Sequence, residues 1–288
     1  MSPLRKKIES ASETLKSPLD GTSLQLFTDS VNDPVGHVVF VHGFADHGRR
    51  YDHLAETLCK AAFNVYRLDL RGHGRSAGAR GFINSVDEYL SDVNAAMNHW
   101  KGSCKDDKPW ILMGHSMGGL VVGRYLEAYP EDQFAGVMMS PFLGMAIAVP
   151  AWKDILAKVS AKLLPSLSMP NDIDPNILTH DRTAAEAYRE DPLVFNTANS
   201  KWFVSIVEAQ KKVFEDVDRV AVPLLVMQAA DDMLVAAEES KRFYGLVKKP
   251  EKELRIYDDC YHELMQEVGK DRIIKELITW VYSILPEA

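Results

Sequence analysis

The chain is poor in several features, and each shortage excludes a class of protein. Its 288 residues hold 3 cysteines, Cys59, Cys104 and Cys260: too scattered and odd in number for a disulfide scaffold, and without the CxxC spacing of a zinc site. A reduced, cytoplasmic setting is the expectation that follows. Positive charge is also short. Lys and Arg number 33 against 41 Asp and Glu, a net −8, which is the wrong sign for a protein held to nucleic acid by phosphate contacts. Long unbroken apolar runs are missing too. The nearest approach, 133–152, has 20 residues without a formal charge, but Gly136, Pro141, Gly144 and Pro150 interrupt it. It reads as a buried strand entering a turn, not a membrane helix. The basic start, MSPLRKK, leads into no apolar segment and no small-residue cleavage pattern, so no secretory signal is read there. Nor is there a phosphate cradle: GHG at 72–74 and GARG at 78–81 match neither G-x-G-x-x-G nor G-x-x-x-x-G-K, and no nucleotide cofactor is expected.

What the chain has is a rhythm of short apolar or β-branched runs alternating with longer helical patterns. That rhythm implies crossover units, hence an α/β fold with a mostly parallel central sheet and helices on both faces. Strands are expected at 37–43, 63–70, 109–115, 134–140, 223–229 and 253–259, with 23–29 as an antiparallel edge. Helices are expected at His53–Ala62, Val86–Lys101, Ser116–Ala128, Glu238–Leu246 and Lys270–Ile284. From about Met145 to Val217 helical patterns replace the strand rhythm. Trp152, Ile155, Leu156, Val159 and Leu163 fall on one helical face there. The chain divides accordingly into a first core part, 1–144, a helical lid, 145–217, and a second core part, 218–288. The lid's apolar stripe is read as packing over a cleft, with transient opening onto a lipid surface as the further reading.

The strongest local signal is Gly114-His115-Ser116-Met117-Gly118-Gly119, set between the strand PWILM and an apolar-periodic helix. The form is G-x-S-x-G, and in a strand-to-helix turn it lifts the serine above the sheet at a helix N-terminus, where developing negative charge is favoured. A serine hydroxyl needs a base, and the base needs an orienting acid. Asp231 and Asp232 follow the strand PLLVMQA, and His262 follows ELRIYDD, in the order Ser, Asp, His. The backbone N–H groups of Phe44, after HVVFVHG, and of Met117 are the expected oxyanion donors. His73, in the turn GHGRS, is left out as structural.

Together HGFADHGRRY (42–51), DLRGHGRSAGARG (69–81), GHSMGG (114–119), LPSLSMPNDIDPNILT (164–179), AYREDPLVF (187–195), QAADDMLV (228–235) and YDDCYHELMQE (257–267) carry a resemblance. Over nearly its whole length the chain resembles the serine hydrolases of the α/β-hydrolase superfamily, in the monoglyceride lipase and lysophospholipase group. The resemblance implies the α/β-hydrolase fold, and spacing from Gln228 matches the family's acid to Asp232 rather than Asp231. It also implies substrate-binding roles at the glycerol end for Asp46, Arg50, His115 and Tyr188. Two positions depart from the family. Val235 stands where mammalian members carry cysteine, which implies no thiol sensitivity there, and Asp46 stands where they carry glutamate.

The reading is a serine esterase for single-acyl-chain lipid esters, with catalytic Ser116, Asp232 and His262, no metal and no organic cofactor. Its rivals are a carboxylesterase, thioesterase or peptidase on the same triad and a non-catalytic receptor of the same fold. A peptidase would want a lid carboxylate for the substrate amine, and Glu186, Glu190 and Asp191 are the candidates.

Overall fold

The structure, a computed structural model, describes residues 7–130, 134–146, 167–171, 173–249 and 251–286. The apolar stripe from Trp152 to Leu163 lies outside the described residues. Among those described, the first strands are β1 (Glu9–Lys16), β2 (Ser23–Ser30), β3 (Gly36–Val41), β4 (Phe63–Leu68), β5 (Trp110–His115) and β6 (Ala135–Met139). A small antiparallel ribbon, β7 (Ser168–Pro170) with β8 (Thr197–Asn199), comes next, then β9 (Leu224–Ala229) and β10 (Lys252–Tyr257). The central sheet runs β1-β2-β4-β3-β5-β6-β9-β10, antiparallel in its first two pairings and parallel from β4 onward. The α-helices among the described residues are α1 (Asp52–Lys60), α2 (Val86–Ser103), α3 (Met117–Ala128), α4 (Arg182–Glu190), α5 (Ser200–Glu215), α6 (Ala237–Leu246) and α7 (Lys270–Ile284).

Because side chains alternate along a strand, each central strand feeds two cores. Val39, Val41, Leu112 and Val226 pack on one face with Tyr89 and Leu90 of α2, Leu120 and Val121 of α3, and Ile206 and Val213 of α5. Val38, Phe40, Ile111, Met113 and Leu225 pack on the other with Leu54 and Leu58 of α1 and Ile273 and Leu277 of α7. Burial on both faces is why β3, β5, β6 and β9 are buried throughout and mostly apolar, with His37, His115 and Gln228 as their polar residues. The 133–152 stretch accordingly contributes β6, and no helix among the described residues is long and apolar enough to cross a membrane.

Three details depart from the expectations. The segment 23–29 is not the edge, because β1 pairs with it along its whole length, from Glu9 opposite Ser30 to Lys16 opposite Ser23. β1 escapes a pattern search because ESASETLK has no apolar alternation and is almost wholly exposed; main-chain pairing, not burial, holds it. The 145–217 segment also contains β7 and β8, and its helix α5 is part of the main core through Trp202, Ile206 and Val213.

Candidate active site

The site is assembled by strand ends. β5 stops at His115 and α3 begins at Met117, which leaves Ser116 alone in the turn with φ 55 and ψ −119. A positive φ on a residue with a β-carbon costs on the order of 1 kcal/mol or more, so the surroundings must hold it. They do so through the backbone. The Ser116 N–H donates to the Met139 carbonyl at 2.9 Å, and the Ser116 carbonyl accepts from Leu120 at 3.1 Å and Phe142 at 2.9 Å. The flanking glycines follow from contact distance: a β-carbon at Gly118 would sit 2.1 Å from the Val41 carbonyl oxygen, and one at Gly114 would sit 2.3 Å from the Gly118 oxygen.

The loop after β3 passes against this elbow, so close that a β-carbon at Gly43 would lie 3.3 Å from that of Ser116. His42 shapes the loop: its Nδ1–H donates to the Gly43 carbonyl at 2.7 Å and its Nε2 accepts from the Leu70 N–H at 3.0 Å. That pattern needs a neutral ring, and burial pushes the His42 imidazole below its ordinary value. Phe44 lines the cavity beside Ser116, its ring 3.9 Å from that of Trp202. Met117 is the first residue of α3, where backbone N–H groups find no partner within the helix. His73 packs its buried ring on Phe44 and Phe195, and burial drives it down to about 3, consistent with a structural role.

Asp232 and His262 meet across the ends of β9 and β10. His262 Nδ1 lies 2.7 Å from Asp232 Oδ2, and both side chains are buried. The other carboxylate oxygen accepts the N–H of Leu234 at 2.9 Å and of Val235 at 3.0 Å. Burial alone would raise the Asp232 carboxyl, but the His262 ring and these donors outweigh it and hold it low. Burial would likewise lower His262, and Asp232 reverses the sign and raises it above its ordinary value. Asp231 is exposed and makes no such contact. Gln228, fully buried and held by a 2.7 Å bond from Ser240 Oγ, places its Nε2 at 3.4 Å from Asp232 Oδ2.

Ser116 and His262 face one cavity of about 310 Å³. Much of its described lining is apolar: Phe142, Met145, Ile173, Leu178, Trp202, Phe203, Met233, Leu234 and Val235. Beside Ser116 and His262, its polar part is formed by Asp46, His115, Asn171, Tyr188 and Glu263. The four residues matched to a glycerol end are thereby separated into two kinds. Asp46 and Tyr188 line the cavity, whereas Arg50 does not; its guanidinium makes a double bond to Glu263 at 2.8 and 2.9 Å and lies 3.2 Å from Asp46. His115 lines the cavity with both ring nitrogens engaged, Nδ1 at 3.1 Å from the Tyr51 hydroxyl and Nε2 at 3.2 Å from the His262 carbonyl. Burial takes its imidazole down to about 4, so the ring is neutral. Of the lid carboxylates, Glu186 and Glu190 are exposed and Asp191 is 2.9 Å from His47 Nε2; none lines the cavity.

Sequence reasoning passed over Tyr51, Glu263 and Glu267. Tyr51 donates to Asp46 at 2.8 Å. Glu267 is fully buried and accepts the N–H groups of Tyr261 at 3.0 Å, His180 at 2.9 Å and Val268 at 2.8 Å. With Glu263 N–H donating to Leu178 at 2.8 Å and Thr179 Oγ1 to the Gln266 carbonyl at 3.0 Å, it binds the histidine loop to 178–181. The one available signal was three acidic or amide side chains, Glu263, Gln266 and Glu267, in the five residues after His262, which is polar for a segment that forms a buried loop.

Val235 lines the cavity, and no cysteine is among the described lining residues. Burial raises the Cys59 thiol to about 12 and Cys260 to about 11, and it raises Cys104 as well. Thiolate is therefore scarce at neutral pH, and maleimide treatment at pH 7 is expected to leave hydrolysis within about two-fold of the untreated rate. An ester assay before and after treatment checks this.

A parallel sheet whose first antiparallel strands are followed by a strained serine at a strand-to-helix elbow defines an α/β-hydrolase. The family model Hydrolase_4, described as serine aminopeptidase, S33, matches residues 32–269, and the chain belongs to that family of serine hydrolases. An uncharacterized abhydrolase domain-containing protein of Dictyostelium discoideum is 28% identical over 97% of this chain, which spans 30% of that longer protein. A monoacylglycerol lipase of Mycolicibacterium smegmatis is 30% identical, covering 88% of this chain and 90% of its own. The crystal structure of Paleococcus ferrophilus monoacylglycerol lipase superposes with a TM-score of 0.81 at 28% identity, over 96% of this chain and 99% of that one.

Proposed function

We propose that the protein is a serine esterase that hydrolyses single-acyl-chain lipid esters, of the monoacylglycerol lipase or lysophospholipase type. Ser116 Oγ attacks the ester carbonyl while His262 Nε2 takes its proton, and the same imidazolium then protonates the departing alcohol. Asp232 holds the ring by Nδ1–H and stabilises its charged form. The oxyanion sits against the N–H groups of Phe44 and Met117. Water attacks the acyl-enzyme by the reverse proton path and frees the fatty acid. Residues 145–217 act as the lid between core parts 1–144 and 218–288, anchored to the core by α5, and their contact with a lipid surface is transient.

The observation that carries this reading is the 2.7 Å contact between buried His262 and Asp232, with His262 and Ser116 on one largely apolar cavity. Such a lining accepts an alkyl chain and excludes water. The two relatives named monoacylglycerol lipase favour an acylglycerol as the ester. A series of p-nitrophenyl esters of increasing chain length, assayed beside monoacylglycerols and lysophosphatidylcholine, tests it. Hydrolysis is expected to rise by at least ~10-fold from acetyl to medium-length chains, in line with burial of successive methylenes, and to include monoacylglycerol. Preference for acetyl esters with no monoacylglycerol hydrolysis would overturn it.

A further inference from the structure

The polar part of the cavity has an unusual charge arrangement. Asp46 and Glu263 both reach the cavity, while the one guanidinium that balances them, that of Arg50, stays behind them with the Tyr188 ring 4.7 Å from it. Two carboxylates against one cation leave −1 among these three groups. His115 adds no charge, because burial keeps its ring neutral, and Tyr51 directs its hydroxyl proton to Asp46.

Acceptor capacity is unequal between the two carboxylates. A carboxylate offers about four lone-pair sites. Asp46 already receives the His47 N–H at 2.7 Å, the Tyr51 hydroxyl at 2.8 Å and Arg50 at 3.2 Å. Glu263 receives only the two Arg50 bonds, one on each oxygen. Each Glu263 oxygen thus keeps one site for a donor from the cavity. A hydroxyl meets that demand by a hydrogen bond, and an ammonium group, quaternary or not, meets the cluster's negative charge by its own. A phosphate brings further negative charge and acceptors alone, and finds the local cation already engaged.

We infer that this cluster selects the leaving alcohol by charge, accepting hydroxyl- or ammonium-bearing head groups and rejecting phosphate-bearing ones, with Glu263 as the specificity-determining residue. The inference rests on the esterase reading above and places the head group beside Glu263, the residue that follows the base His262.

The test compares four octanoyl esters used as monomers, so that the −8 charge of the whole protein does not act through a charged micelle surface. They are p-nitrophenyl octanoate, 1-octanoylglycerol, octanoylcholine and 1-octanoylglycerol 3-phosphate. For the unmodified protein, kcat/KM for the phosphate ester is expected to fall at least ~30-fold below that for octanoylglycerol, with the choline ester at or above the glycerol ester. In Glu263→Gln the phosphate-to-glycerol ratio is expected to rise ~10-fold and the choline-to-glycerol ratio to fall. A phosphate ester within ~3-fold of the glycerol ester overturns the inference even if the variant does not fold, because that ratio needs no variant. A folded Glu263→Gln with both ratios unchanged overturns it too. Hydrolysis of p-nitrophenyl octanoate without the charge order defeats this inference alone. Failure on all four esters defeats the esterase reading, and this inference with it.

Discussion

Ser116→Ala is expected to lower kcat for ester hydrolysis by at least ~10⁴-fold and to abolish labelling by a fluorophosphonate probe, while the protein stays folded. The size of the loss follows from the chemistry. In the proposed mechanism, loss of Oγ removes the acyl-enzyme and leaves His262 and the oxyanion donors to act on a water that nothing positions. The fold tolerates the change because alanine needs the same φ of 55 that serine already adopts, and the elbow's hydrogen bonds are all backbone. Labelling separates enzyme from receptor: a folded wild type that resists the probe would support a non-catalytic binder. Circular dichroism and a melting curve on both proteins complete the measurement.

Asp232→Asn is expected to cost about 10³–10⁴-fold in kcat, with Asp231→Asn near wild type. The two aspartates are adjacent, so the pair is its own control. Asp232 is buried at 2.7 Å from His262 Nδ1, whereas Asp231 is exposed. The pH profile adds a sign. As the proposed base, His262 must be neutral to accept the serine proton, and in the wild type Asp232 raises its pKa above the ordinary 6.5 despite burial. The acid limb of kcat/KM therefore has its midpoint above 6.5, and activity falls as pH drops through it. Removing the carboxylate leaves burial as the main influence, so the limb of Asp232→Asn moves to lower pH. A limb that moves upward, or equal losses in the two variants, would exclude Asp232 as the orienting acid.

The sheet was readable because burial on both faces makes β3, β5, β6 and β9 near-continuous apolar runs, a pattern that needs no knowledge of what packs against them. β1 was not, since its residues ESASETLK contribute backbone bonds to β2 and almost no burial. Ser116, Asp232 and His262 could be nominated because each follows a strand, and open α/β sheets gather their loops at those ends. Arg50 shows where that approach stops. A guanidinium in a motif reads as a ligand for substrate, and only distances reveal that Glu263, 213 positions away, has engaged it. Glu267 shows the same: its four main partners, near and far in sequence, are backbone donors and one histidine ring, invisible to any residue pattern.

The ties between 178–181 and the loop carrying His262 bear on how such proteins can be recombined. Leu178, Thr179 and His180 hold Glu263, Gln266 and Glu267 through bonds that cross some 85 to 90 positions of sequence, as in the Thr179–Gln266 separation of 87. A chimera that imports 167–199 from a relative while keeping the native 260–268 would pair donors and acceptors that did not arise together. The exchangeable unit is both segments at once, and the border of that unit lies in three dimensions rather than along the chain.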